Sequence, residues 1–197
     1  DLPLEIDAHT KVSTVPSSEV NDIADIVNMT TFDIALPPHQ DSTVGPLYFP
    51  VQKVEGTKFF AFGAHTHRAG KHVTVQIVDS PDAPMEADYK DGDANAFYQT
   101  RTVYNVPDFN WDNPAYVYYM QDPPNGDPSR QPVELKSGYG FRFWCDYFNN
   151  TDKVIPFGEN YVDEMCYFWG YYYPSNGGLF CTYSDNTRAC LGGLKPD

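Results

Sequence analysis

The stretch that decides the fold runs Lys58-Phe59-Phe60-Ala61-Phe62-Gly63-Ala64-His65-Thr66-His67-Arg68-Ala69-Gly70. Its first half is apolar and aromatic, which predicts a strand. Residues i and i+2 of a strand point to the same face, so His65 and His67 would present two imidazoles side by side. Imidazole is a common metal ligand. The segment therefore predicts a metal site at the end of a strand. The alternative is two histidines that are only packed or solvated.

Other strands are predicted on both sides of this segment by alternating or β-branched runs. They cover 30–36, 47–54, 58–64, 73–78, 97–103, 115–120, 132–135, 139–147, 165–173 and 180–183. A short helix is predicted within 17–27, and loops over 39–45 and 79–96. Residues 88–93 have some character of a calcium loop but lack its full spacing. Many short strands, few helices and no internal repeat predict an all-β, antiparallel β-sandwich.

The chain shows no linker that would divide it. A length of 197 residues suits one large domain or two small ones. We expect residues 28–197 to form one β-sandwich domain that carries the metal site. Residues 1–27 are expected to be an N-terminal extension that is part of the same domain or mobile. No signal peptide is visible, so the chain is expected to begin as a processed or excised product would.

The charge balance excludes several partners. The formal net charge is −14, from 27 acidic and 13 basic residues. Such a surface repels nucleic acid and anionic membranes and attracts cations. The chain has no apolar run of about 18 residues, so no membrane span is predicted.

The cysteines all lie in the last quarter of the chain. They are Cys145, Cys166, Cys181 and Cys190. No Cys-x-x-Cys pair occurs, which argues against a zinc ribbon. The many Tyr, Phe and Pro residues are typical of an exported β-protein, so we expect two disulfides and a secreted or periplasmic location. Four cysteines allow three connectivities, and their spacing does not choose among them. The alternative is four free thiols in a cytosolic protein.

A third metal ligand is suggested far from the histidine pair. Met165 lies beside Cys166 at the start of an aromatic run. A thioether combined with two imidazoles is a copper-type ligand set, since thioethers favour Cu(I) and imidazole holds both oxidation states. The alternative for Met165 is ordinary packing in the core.

These motifs together resemble a known family. The quoted segments are 60–73 with His65-Thr66-His67, 143–147, 150–152, 157–158, 163–166 with Glu164-Met165-Cys166, and 171–174. In order and separation they resemble the second, C-terminal domain of the type II copper, ascorbate-dependent monooxygenases. The resemblance covers roughly residues 28 to 183.

The resemblance implies a fold and a site. The fold would be a jelly-roll-like β-sandwich of eight or nine strands. One copper per chain, alternating between Cu(I) and Cu(II), would be held by His65, His67 and Met165. The family's disulfide pattern implies Cys145–Cys166, which leaves Cys181–Cys190 as the remaining pair.

The sequence also departs from this family at several positions, and these differences bear on its function. Its enzymes carry a first domain with a second copper held by three histidines. Here only His9, His39 and His72 remain, dispersed along the chain, so we expect no electron-transfer copper in it. Peptide-amidating members place an arginine where Gly63 stands and a substrate-contacting tyrosine where Trp169 stands. A peptide ending in glycine is therefore not the expected substrate. His72 is a candidate for a fourth metal ligand or for a residue that contacts a ligand. Trp169 is a candidate for a residue that lines a substrate pocket.

Three classes of function remain. The first is an exported protein with one type II copper that resembles the oxygen-activating domain. Such a protein would be a monooxygenase or oxidase if an external reductant or a redox partner protein supplied electrons. The second is a copper carrier or sensor. The third is a sandwich used for adhesion or carbohydrate contact, against which the intact ligand set argues.

Overall fold

The computed structural model describes residues 12–51, 54, 56–83, 100–119 and 131–192. Within these ranges the chain forms β-strands, a short 3-10 helix at Ser17–Glu19 and no α-helix. The strands are β1 Asp25–Thr31, β2 Ala35–Leu36, β3 Gln40–Pro50, β4 Lys58–His65, β5 Gly70–Val78, β6 Thr100–Pro107, β7 Tyr116–Tyr118, β8 Val133–Glu134, β9 Gly140–Asn149, β10 Ile155–Pro156, β11 Cys166–Tyr173, β12 Leu179–Ser184 and β13 Thr187–Gly192. No helix in the described part of the chain is long and apolar enough to cross a bilayer.

Two sheets carry most of these strands. The larger sheet has the order β13-β12-β1-β11-β4-β7, with β8 also paired to β4. The smaller sheet has the order β3-β9-β5-β6. Neighbouring strands are antiparallel except β1 and β12, which run parallel. Strands β2 and β10 form a separate pair.

The core lies between the two sheets. Phe59 and Phe168 face inward from the larger sheet, and Phe141 and Phe143 face inward from the smaller one. All four side chains are fully buried. The Phe141 ring lies 5.0 Å from that of Phe59 and 5.4 Å from that of Phe168, measured between centroids. Burial of each such ring stabilises the fold by roughly 1.5–3 kcal/mol. The predicted antiparallel, jelly-roll-like β-sandwich is confirmed.

Two disulfides connect strands of the sandwich. Cys145 on β9 and Cys166 on β11 join the two sheets, with their Cα atoms 5.9 Å apart. Cys181 and Cys190 join the neighbouring strands β12 and β13. The pairing implied by the family resemblance and the pairing that it leaves over are therefore both present, and the described residues contain no free cysteine.

The double substitution Cys145→Ser/Cys166→Ser is expected to lower the free energy of unfolding by about 3 kcal/mol, because the bond closes a long loop across the core. It is also expected to weaken copper binding, since Met165 precedes Cys166. Urea unfolding and copper titration measure the two effects. Cys181→Ser/Cys190→Ser is the matched control. We expect it to leave copper affinity unchanged, and equal copper loss in both variants would contradict a role for the first bond at the metal.

Two sequence predictions near the N-terminus are wrong. Residues 17–27 do not form a helix beyond Ser17–Glu19. Instead β1 begins at Asp25, because Val27 and Met29 alternate into the core. Residues 39–45 are not a loop, since β3 begins at Gln40. The pairing of β3 with β9 continues across an irregularity between Val44 and Leu47.

Other element boundaries also differ. The single strand predicted over 30–36 is wrong: the chain turns after β1, where the Asp33 N–H donates to Thr31 Oγ1, and β2 follows. Strand β13 was not predicted, because its residues are all exposed and show no inward alternation. The calcium-like residues 88–93 lie outside the described residues.

Candidate metal centre

The candidate ligands lie on two connections that cross between the sheets. β4 ends at His65 in the larger sheet, and β5 begins at Gly70 in the smaller one. In the other direction the chain leaves the smaller sheet after β9 and joins the larger sheet at Cys166. His67 therefore lies on the first crossing and Met165 at the end of the second.

The strand register aligns these residues. His65 on β4 pairs with Tyr167 on β11, and the two strands are antiparallel. His67 and Met165 each lie two residues beyond this pair, where the two chain segments leave the larger sheet. His65, His67 and Met165 are therefore all at the same end of that sheet.

The two imidazoles of His65 and His67 lie close together. Their ring centroids are 5.0 Å apart with an angle of 81° between the planes. The Nδ1 of His67 lies 2.9 Å from the carbonyl oxygen of Asp163. As donor to that oxygen, Nδ1 carries the proton, and Nε2 is then the nitrogen with a lone pair for a metal.

The protonation state of His65 favours the same role. Its side chain is half-buried. Burial, and to a lesser degree the neighbouring His67, lower the pKa of His65. The ring is therefore neutral at pH 7, which is the form that binds metal ions.

Glu164 holds the two crossings together. Its side chain is fully buried. Its Oε2 accepts hydrogen bonds from the backbone N–H of His67 at 2.8 Å and of Met165 at 3.3 Å, and its Oε1 accepts one from Ala69 at 2.6 Å. Burial raises the pKa of Glu164, and the backbone donors oppose that shift. One carboxyl group thus fixes the backbone of two candidate ligands.

Tyr147 and Gly70 also stabilise the backbone beside the candidate ligands Met165 and His67. The Tyr147 hydroxyl donates to the carbonyl oxygen of Met165 at 2.7 Å. Burial, with Glu164 and Asp146 nearby, raises the pKa of Tyr147 well above its usual value, so it remains a donor. At Gly70 a Cβ atom would collide with the buried Thr66 side chain. The turn through His67 therefore requires glycine at this position.

The donor types of the candidate set favour copper over hard cations such as Mg²⁺ and Ca²⁺. Among the described residues, no three His, Cys, Asp or Glu side chains are grouped to hold an ion. Two imidazoles alone leave a metal under-ligated, and Met165, whose backbone Glu164 and Tyr147 hold at the same end of the sheet, is the predicted third donor. A set of two imidazoles and a thioether suits copper in both common oxidation states.

Comparison with family models decides the classification. Residues 21–191 match the model described as copper type II ascorbate-dependent monooxygenase, C-terminal domain. The chain belongs to this family. No curated protein matches the sequence of this monooxygenase C-terminal domain.

Two of the remaining histidines, His39 and His72, have other partners. His72 lies in the smaller sheet, where its Nδ1 is 3.2 Å from Asp146 Oδ2 and its Nε2 is 2.6 Å from Asn105 Oδ1. Both ring nitrogens are engaged there, so we do not include His72 in the proposed ligand set. His39 is exposed and contacts Asp152 at 2.7 Å. His9 lies outside the described residues.

Trp169 lies two positions along the strand from Tyr167 and pairs with Gly63 of β4. A Cβ atom at Gly63 would lie 2.7 Å from the indole ring. Glycine at that position therefore makes room for Trp169. In the monooxygenase domain both residues lie two positions along their strands from the His65–Tyr167 pair.

Sequence reasoning missed Glu164 and Tyr147 as parts of this centre. Both act through contacts with residues distant in the chain. The Glu164 bonds to His67 and Ala69 span 97 and 95 residues. A usable signal was present, since a carboxylate directly before a candidate ligand at the start of a buried strand needs a specific partner.

Proposed function

We propose that this domain binds one copper ion through His65, His67 and Met165. The observation that carries the proposal is the Glu164 bridge, which fixes the backbone N–H groups of His67 and Met165 on one carboxyl group. The short distance between the imidazoles and the free Nε2 of His67 support it. The acidic surface would concentrate the cation near the protein.

The activity best supported is hydroxylation of a substrate C–H bond. The balanced reaction converts R–H, O₂, two electrons and two protons into R–OH and water. Bound copper would supply the one-electron chemistry with dioxygen. The residues of this chain hold the site: Glu164 and Tyr147 position Met165, and the carbonyl oxygen of Asp163 orients His67.

One copper stores one electron, so the second must come from elsewhere. We propose that this chain contributes no electron-transfer copper. His39 and His72 contact acidic or amide side chains in separate places. An ascorbate-type reductant, a partner protein or another domain would supply the electron. The disulfides are consistent with an oxidising compartment, and we propose a secreted or periplasmic location.

A copper carrier or sensor is the second candidate. Copper exchange between proteins favours an exposed, shallow site. Here His67 is only 7% exposed, and aromatic side chains lie on the sheet beside the ligands. The buried candidate ligand and the neighbouring aromatic side chains favour an enzyme over a copper carrier.

Anaerobic titration with Cu(I), followed by oxygen consumption in the presence of ascorbate, tests the proposal. We expect uptake of one copper per chain and ascorbate-dependent oxygen uptake that exceeds that of an equal amount of free copper. One bound copper without oxygen uptake would favour the carrier. Failure to bind copper would reject both.

A further inference from the structure

A continuous row of residues crosses the outer face of the larger sheet beside the candidate metal centre. Pairing in register links Tyr116 on β7 to Gly63, Trp169, Asn28, Phe180 and finally Leu191 on β13. We call these six residues the aromatic row. Because neighbouring strands lie about 4.8 Å apart, a row of six strands is roughly 24 Å long.

The rings in and next to this row touch one another. The Trp169 indole lies 5.8 Å from the Tyr116 ring and 5.8 Å from the Tyr167 ring, between centroids. Tyr167 lies 6.3 Å from Phe180. Tyr116 and Tyr118 are 6.0 Å apart. The result is an aromatic surface that extends across several strands.

This surface is exposed to solvent at its two ends and half-buried at Trp169 and Asn28 between them, and its residues are uncharged. Tyr116 is 42% exposed, Tyr118 52% and Leu191 73%. None of the six residues carries a formal charge, although the chain as a whole has a net charge of −14. Exposed apolar patches bounded by polar surface mark binding sites.

The indole of Trp169 makes contacts through its ring and makes no hydrogen bond within the described part of the chain. Its Nε1 is buried, with no hydrogen-bond partner among the described residues. Such an unpaired donor is costly, and buried donors of this kind need a functional explanation. The ring covers Gly63, whose missing side chain is what lets it lie there.

We propose that the aromatic row binds an uncharged polysaccharide chain that runs across the strands. Sugar rings present C–H faces that stack on aromatic rings, and their hydroxyl groups can bond to the tyrosine hydroxyls and the Asn28 amide. An extended peptide would bring a backbone N–H and C=O group at every residue, and the few polar side chains of this surface could pair with only a small part of them. The net charge disfavours a second copy of the chain and an anionic membrane.

The row also leads to the metal centre. His65 follows Gly63 by two residues on the same face of β4, a distance of about 7 Å. A bound chain would therefore have C–H bonds beside the copper. This placement rests on the proposed function, whereas binding to the row does not.

Binding of the full chain, stripped of metal with EDTA, to insoluble cellulose, chitin and mannan tests the proposal. Trp169→Ala and Tyr116→Ala are the test variants. Phe148→Ala is the matched control, since Phe148 is also 42% exposed and belongs to β9 of the other sheet. We expect wild type and control to bind at least one of these polymers. Each test variant should bind about tenfold more weakly, since one aromatic contact contributes up to about a factor of ten.

Several outcomes would overturn the proposal. They are no binding to any of the three polymers, equal binding by all variants, stronger binding to the anionic polymer polygalacturonate, and a dimer in sedimentation that Trp169→Ala dissociates. Tyr116 lies on a short edge strand, so its variant keeps the test valid if Trp169→Ala fails to fold. Because the assay uses metal-free protein, its failure is distinguishable from failure of the copper site.

Discussion

His65→Ala is expected to abolish stoichiometric copper binding, with a loss of affinity of more than about 100-fold. Changing a residue that only supports a ligand already costs roughly 10–100-fold, so removal of a ligand should cost more. With His65 gone, His67 and Met165 would remain, and two donors hold copper weakly. Competition of the Cu(I) protein with a chromogenic chelator measures the affinity.

His72→Ala is the matched control for that experiment. His72 is also a half-buried histidine on a strand, but it contacts Asp146 and Asn105. We expect its replacement to leave copper stoichiometry at one. Metal-free His65→Ala should unfold within about 1 kcal/mol of wild type, because its partly exposed ring contributes little to packing. Retention of one tightly bound copper in His65→Ala would show that His65 is not a copper ligand.

Glu164→Ala is expected to lower the free energy of unfolding by about 3–5 kcal/mol. The substitution leaves three backbone N–H groups, those of His67, Ala69 and Met165, without their acceptor. Each buried donor without a partner costs about 1–3 kcal/mol. Copper affinity should fall as well, because the two crossings are no longer held together. Urea unfolding of the metal-free protein gives the first quantity and chelator competition the second.

Glu164→Gln separates the hydrogen bonds from the volume of the side chain. Glutamine keeps one acceptor oxygen, but its NH₂ group faces a backbone N–H donor. We therefore expect the free energy of unfolding to fall by about 2 kcal/mol. Glu134→Ala, at an exposed position on β8, should change stability by less than about 0.5 kcal/mol. If Glu164→Ala were as stable as Glu134→Ala, the carboxyl group would not connect the crossings.

The sequence predicted the elements that alternate strongly. β4, β5, β9 and β11 carry apolar or aromatic residues toward a shared core, and their predicted positions agree with the structure within a few residues. Where burial is weak the prediction failed. β13 is exposed along its length, and the segment before β1 has exposed Val20 and Ile23 that imitate a helical pattern.

The ligand residues could be proposed from sequence, but the parts that hold them could not. His65 and His67 stand two residues apart at the end of an aromatic run, and Met165 came from a motif. By contrast, Glu164 reaches His67 and Ala69 only because the chain crosses twice between the sheets at the same end. Such contacts depend on strand order, which local patterns do not encode. The aromatic row has the same origin, since its six members come from six strands.

X-ray absorption at the copper edge tests the central claim most directly. The protein is loaded with one equivalent of Cu(I), and the scatterers around the metal are counted in wild type and in Met165→Leu, which preserves side-chain volume. We predict two imidazole nitrogens and one sulfur in wild type, and loss of the sulfur alone in Met165→Leu. A wild-type spectrum without sulfur, or one unchanged by Met165→Leu, would contradict the proposed site.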